Sequence, residues 1–269
     1  MITLLALSLG ACSSSSADTS SDSSADVPAA DSDLAYVQGK GNIVVGVTDF
    51  EPMDYIVNGE WTGFDAELAL KVGEVLGVDV VFQEISWDMK ETELSGKTID
   101  VIWNGLTWTE DRAANMAMTD YYMLNKQVAV IRKDDADKFV SIDDLAGATV
   151  AAEAGSAGEE FIQANLTDST YIESESQKYA LMELLSGNVD VTILDYTMGY
   201  YLVNAEGSDF GSLMVAENLI SADEEYYAIA CRQGSDLATA INDCLKQLKA
   251  DGTVKEIASK YGLEGSIVD

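Results

Sequence analysis

The sequence predicts an α/β protein in which parallel strands carry helices on both faces. Short β-branched runs alternate with segments whose apolar residues recur at helical spacing, the βαβα rhythm that places a crossover helix after a strand. The 269 residues suffice for one large or two modest cores. Only Pro28 and Pro52 are proline, so Gly, Asn and Asp separate the elements, and no repeat of fixed period is visible.

At the N-terminus, Ile2 to Ala11 form an apolar run that stops at Cys12. Roughly ten apolar residues are too few to span a bilayer but suit the core of a signal peptide. No Lys or Arg precedes the run, which leaves open a start upstream of Met1. Ser13 to Asp33 is almost entirely Ser, Ala, Asp and Thr. Such a segment has too little apolar surface to order itself, so residues 13–39 are expected to be a disordered linker. Twenty such residues reach about 25 Å, from roughly 5–6 Å times the square root of length.

Asn42–Thr48 is a β-branched run that fits a buried strand. Phe64, Leu68, Val72, Val75 and Leu76 share one helical face, so Gly63–Leu76 reads as an amphipathic helix stopped by Gly77. Val80–Ile85 is the next strand, Met89–Ser95 a short helix and Asp100–Trp103 another strand. Further strands are expected at Gln127–Arg132, Ala148–Ala152, Val189–Leu194 and Tyr226–Arg232. Helices are expected at Ala157–Ala164, at Gln177–Leu185, from Asp195, at Asp236–Leu248 and at Val254–Tyr261. No later stretch is apolar for long enough to cross a membrane.

Composition narrows the function. The net charge is −32, with 15 Lys and Arg in all, so the chain lacks the clustered cations that nucleic-acid phosphates require. The acidity itself reads as a solvated, repulsive surface. There is no histidine, which removes Ser-His-Asp and Cys-His catalysis and most zinc sites. Neither a cofactor nor a metal is expected. Site chemistry must rest on carboxylates, amides, hydroxyls, aromatics and the arginines Arg112, Arg132 and Arg232.

The most specific run is Ser95-Gly96-Lys97-Thr98-Ile99-Asp100-Val101-Ile102-Trp103-Asn104-Gly105-Leu106-Thr107-Trp108-Thr109-Glu110-Asp111-Arg112. Weaker echoes are Gly63-Phe64-Asp65, Ala154-Gly155-Ser156-Ala157-Gly158, Asp190 to Asp195, and Lys249-Ala250-Asp251-Gly252-Thr253. In this order and spacing, from Ile43 to Tyr261, they resemble the polar amino-acid-binding family of extracytoplasmic solute-binding proteins of ABC transporters. Its relatives include the lysine/arginine/ornithine-, histidine- and glutamine-binding proteins. The resemblance implies the two-lobed type II periplasmic-binding-protein fold, its lobes joined by two hinge strands with the ligand in the cleft. Lobe one would be 40–125 plus 227–269, and lobe two 126–226. Leu9-Gly10-Ala11-Cys12 resembles a bacterial lipobox, which implies a signal peptide over 1–12 and lipidation of Cys12. The expected protein is thus a monomer, lipid-anchored to the outer face of the cytoplasmic membrane, whose partners are a free amino acid and the transmembrane subunits of an ABC permease.

A buried zwitterion needs a bidentate cation, an anion and oriented backbone groups, because desolvating its two charges costs several kcal/mol each. Arg112 is the candidate cation: its planar fork fits a carboxylate, and it stands in the first turn of a helix capped by Thr109. Ser156 followed by Glu159 forms a capping box, and the free N–H groups of that helix start suit an anion. The resemblance adds the carboxylate-binding turn at Ser156 and Ala157, where relatives often carry Thr in place of Ala157. Asp195 sits at a helix N-cap, and by resemblance it holds the ligand ammonium together with the Gly105 carbonyl and the Thr107 hydroxyl. Phe50 and Trp87 match aromatics that flank the ligand side chain, whereas Trp103 is assigned to the core. Asp49, Glu51, Asn104 and Glu153 are placed to meet the ligand side chain. Two carboxylates, Asp49 and Glu153, with no Lys or Arg from the matching segments beside them, favour arginine, lysine or ornithine over acidic amino acids. Glutamine and cystine are the neutral alternatives. Cys231 and Cys244 are either a disulfide or two buried thiols. The fold also hosts enzymes, among them a dehydratase and a lytic transglycosylase, and sensing domains of signalling systems, so a binding protein without catalysis competes with these readings.

Overall fold

The structure is a computed structural model that describes residues 32–220 and 222–268. Cys12, the apolar run before it and linker residues 13–31 lie outside the described residues. The chain begins with α1 (Asp33–Lys40), β1 (Asn42–Val47), β2 (Tyr55–Val57), β3 (Glu60–Thr62), α2 (Phe64–Leu76), β4 (Asp79–Glu84), α3 (Lys90–Ser95), β5 (Val101–Ile102), α4 (Glu110–Asn115) and β6 (Met116–Met118). It continues through β7 (Met123–Arg132), β8 (Thr149–Glu153), α5 (Ala157–Asn165), β9 (Thr170–Ser174), α6 (Gln177–Ser186), β10 (Val191–Asp195), α7 (Tyr196–Asn204), β11 (Leu213–Val215) and β12 (Glu224–Tyr227). It closes with β13 (Ala230–Arg232), α8 (Leu237–Ala250) and α9 (Thr253–Tyr261).

Two sheets result. The first has the order β4-β1-β5-β13-β6, and the second β11-β7-β10-β8-β9, with β12 paired to β7. Parallel pairing runs in from one edge of each, β1 with β4 and β5, and β8 with β9 and β10. The other partners are antiparallel, so both sheets are mixed where an all-parallel arrangement was expected. The chain crosses between the sheets along β7 and again from β12 to β13, and these crossings pair antiparallel through Asn125 and Glu225. We call the two halves the first and second lobes. Each sheet is covered by helices on both faces: α2 and α8 against α3 in the first lobe, α6 and α7 against α5 in the second.

Two predicted elements are corrected, and the open reading of the two cysteines is decided. Residues 33–39, assigned to the linker, form most of α1. Its polar surface hid a tertiary reason for order: Asp33 pairs with Arg232 at 3.0 Å, and the Leu34 N–H donates to Asp236. The expected strand Tyr226–Arg232 divides at Ala228 and Ile229 into β12 and β13, which serve different sheets. Cys231 and Cys244 are free thiols, not a disulfide. Cys231 faces the core from β13 and Cys244 from α8, and each packs there as a small apolar side chain. Burial pushes both thiols up.

The core follows the layers. One large cluster joins Ile43, Phe64, Val72, Ile229 and Ile241 of the first lobe to Leu181, Leu194 and Met198 of the second. Separate clusters fill the remaining face of each sheet, around Ile131 and Ile193 in the second lobe and around Ile99 and Ile102 in the first. Among the described residues no helix is long and apolar enough to cross a membrane.

Candidate functional site

Between the lobes the chain gathers Phe50, Trp87, Asn104, Gly105, Thr107 and Arg112 of the first against Glu153, Ser156, Ala157, Gln177 and Asp195 of the second. The cavity they enclose measures about 10 Å³, far below the roughly 300–1,000 Å³ of ligand clefts. The lobes are drawn together over it.

The turn after β5 builds the first-lobe wall. Gly105 has φ +58°, and a Cβ there would come within 2.4 Å of the Phe50 ring, so only glycine turns the chain this tightly. Its N–H donates to Asp65 at 2.8 Å, and Tyr122 donates to the same carboxylate oxygen at 2.8 Å. Asn104 is used up inside this wall. Its carbonyl oxygen accepts from the Thr48 hydroxyl at 2.6 Å and its amide donates to Asp54 at 2.7 Å, so it braces the turn and offers little to the cavity. Asp54 and Asp65 are both fully buried, and desolvation raises both carboxyls above their ordinary range.

Arg112 follows Thr109, whose hydroxyl caps α4 by accepting from the Arg112 N–H at 3.2 Å. Its Nη1 donates to the Thr107 carbonyl at 2.7 Å and its Nη2 to Glu160 of α5 at 2.7 Å, so the fork already spans the lobes. Lys90 makes a second crossing. Its Nζ donates to the Gly155 carbonyl at 2.8 Å and lies 4.9 Å from the Trp87 ring centroid. Desolvation and the Arg112 charge push this ammonium down to about 8.

On the second-lobe side, the Ser156 hydroxyl accepts from the Glu159 N–H at 3.1 Å. The Glu159 carboxylate reaches back to the Gly155 N–H at 2.6 Å, one residue before the N-cap, so the expected capping box is displaced. Asp195 occupies the N-cap of α7 but makes no side-chain cap. Its carboxylate instead accepts from Asn125, from Gln127 at 3.0 Å and from Gln177, and burial raises it against those bonds. Gln177 also accepts from the Asp195 N–H at 3.1 Å. Glu153 ends β8 with its Oε1 buried and unpartnered. Burial and the Asp195 charge push this carboxyl up to about 8.

Asp49 is not among the cavity residues. It and Glu51 receive Lys178 of α6 at 3.0 and 2.9 Å across the mouth of the cleft. Of the two carboxylates Asp49 and Glu153, expected to meet the ligand side chain, only Glu153 stays in the cavity, because Asp49 is paired with Lys178. Lys90 is a neighbouring charge to Glu153 and forms no ion pair with it. Gln177, Lys90, Glu160 and Glu225 were missed from sequence. For Gln177 a usable signal existed, a polar residue directly after a Ser N-cap on an otherwise apolar helix face. The gathered groups can hold a molecule bearing both charges, with Arg112 and the α5 N–H groups at one end and Asp195 at the other.

The family described as bacterial extracellular solute-binding proteins, family 3, matches residues 43–264. The L-cystine-binding protein TcyJ of Escherichia coli (strain K12) is 27% identical over 233 residues, 85% of each chain. A Streptococcus pneumoniae substrate-binding protein of an ABC uptake transporter, solved with bound histidine, is 30% identical with a TM-score of 0.79, over 86% of this chain and 96% of that one. A mutant of ArgBP from T. maritima is 30% identical with a TM-score of 0.78, over 85% of this chain and 98% of that one. The chain belongs to family 3 of the bacterial extracellular solute-binding proteins.

Proposed function

We propose that this family-3 protein is the solute-binding component of an ABC importer and captures an L-amino acid with a cationic side chain between its lobes. The observation that carries the reading is one closed pocket that sets Arg112 against Asp195 and the start of α5, with the unpartnered Glu153 oxygen beside them. In this reading the ligand carboxylate takes the Arg112 fork and the backbone N–H of Ala157 beside Ser156, whose own N–H donates to the Glu153 carbonyl at 3.2 Å. The ammonium goes to Asp195, the Gly105 carbonyl and the Thr107 hydroxyl. Phe50 and Trp87 cover the aliphatic stem, and Glu153 receives the distal cation, which replaces the proton that burial otherwise favours. The names of relatives that bind arginine, histidine and cystine support the amino-acid class.

The moving bodies would be residues 40–125 with 227–269 against 126–226. The chain acts by binding and delivery, without catalysis, as a monomer outside the cytoplasmic membrane, anchored by a lipid on Cys12. Calorimetry with arginine, glutamine, cystine and glutamate tests the ligand. Arginine is expected to bind most tightly and to weaken in Glu153→Gln, while tight glutamate binding with no arginine heat would refute the cationic assignment. Loss of lipid labelling in Cys12→Ser tests the anchor.

A further inference from the structure

We propose that Glu225 is the positioning residue for the ammonium end of the site, and that seating an amino acid there expels a proton from its carboxyl. The inference rests on the amino-acid reading above. Glu225 lies on β12, where the chain crosses between lobes, opposite Asn125 of β7. Its Oε2 accepts from the Thr107 hydroxyl at 3.1 Å, from Gln127 at 2.9 Å and from Asn125 at 3.3 Å. The same two amide nitrogens donate to Oδ1 of Asp195. Each amide carries two hydrogens, so two carboxylates draw on one pair of donors and face each other through it.

No Lys or Arg of the described residues pairs with Glu225. Lys126, its neighbour on β7, turns to Glu217 and the Tyr196 ring. Arg112 of α4 stops at the Thr107 carbonyl. From β10 comes Asp195, from β8 behind it Glu153, and from β12 itself Tyr227, none of them cationic. Burial and the Asp195 charge push the half-buried Glu225 carboxyl up to about 7.

An α-ammonium beside Thr107 and Asp195 supplies the missing positive charge. Ionised, Glu225 only accepts, so Thr107 must donate to it and turn its lone pairs toward the ammonium. Protonated, the carboxyl can donate to Thr107 and reverse that hydroxyl. Binding therefore selects the carboxylate, and the displaced proton passes to solvent.

The test is arginine binding to wild type, Glu225→Gln and Glu153→Gln by calorimetry between about pH 5.5 and 8.5, in two buffers of different ionisation heat. The Glu225 step is expected to raise wild-type affinity about tenfold, the equivalent of a one-unit fall in the Glu225 pKa on binding, with release of up to one proton near pH 7. This adds to the proton that Glu153 gives up when the arginine side chain replaces it, nearer pH 8. Glu225→Gln keeps an acceptor oxygen and should lose the release near pH 7, whereas Glu153→Gln should retain that step and lose only the release nearer pH 8. Equal pH slopes in wild type and Glu225→Gln overturn the role of Glu225 alone, and proton uptake or no release in wild type overturns it even if that variant does not fold. If wild type binds none of the amino acids, the proposal falls together with the reading it rests on.

Discussion

Arg112 holds the Thr107 carbonyl through Nη1 and Glu160 through Nη2, two nitrogens fixed in one plane that a single ammonium nitrogen cannot reproduce. Arg112→Lys keeps the charge and loses the geometry. It is expected to weaken amino-acid binding by about 2–4 kcal/mol, roughly two orders of magnitude in Kd, with little change in Tm. Calorimetry decides: binding within a factor of about three of wild type would show that Arg112 is not the carboxylate clamp. Gly105→Ala places a methyl group where the Phe50 ring stands. Overpacking of this kind costs about 1–3 kcal/mol, and the positive φ adds strain, so denaturant melts should shift and binding should weaken together. Arg112 was legible because a cation in the first turn of a Thr-capped helix opposes the helix dipole and needs a reason to be there. Asp49 was misread because its partner Lys178 lies 129 residues away, and no local pattern carries that pairing.

Elements that make their own periodicity were legible to within a few residues. The helix Phe64–Leu76 stops at Gly77 in the left-handed region, and strands β1 and β10 are rich in β-branched residues. Elements that exist through tertiary contact were not. The hairpin β2–β3 and strands β6 and β11 have three residues each, too few for a pattern, and α1 is ordered by Arg232 and Asp236 from the far end of the chain. Helix α6 shows what such contacts do between elements. Through Lys178 it ties the second lobe to the Asp49–Glu51 loop of the first. Pairs this exposed contribute up to about 1 kcal/mol, so Lys178→Ala should weaken ligand binding severalfold at low salt. The deficit should shrink as salt screens the wild-type pair. A deficit that persists at high salt would mean Lys178 acts by packing and not by charge.

For the molecule as a whole, protonation and shape are linked. Asp54, Asp65, Glu153, Asp195 and Glu225 all have carboxyls raised by burial. A raised acid binds its proton more tightly folded than unfolded, so its stabilising effect is complete below the ordinary range near 4 and is lost as pH rises through the raised value. Stability should therefore decline from about pH 4.5 to pH 8, and less so in Asp54→Asn. A Tm that rises steadily over that window would contradict this. Small-angle scattering should show a smaller radius with saturating amino acid, since a zwitterion touching both lobes favours the closed form. An unchanged radius would exclude closure as the response. Both ends of the described chain belong to one lobe. Helix α1 runs into the sheet centre at β1 and is pinned to α8, while Val268 returns its N–H to the Tyr122 carbonyl. Tension applied between residues 32 and 268 is thus carried by the first lobe, with the two crossing strands outside the load path. In an optical trap, handles at those points should record no length change when ligand arrives, whereas moving one handle to the exposed Gln163 of α5 should turn the same molecule into an extension gauge for the cleft.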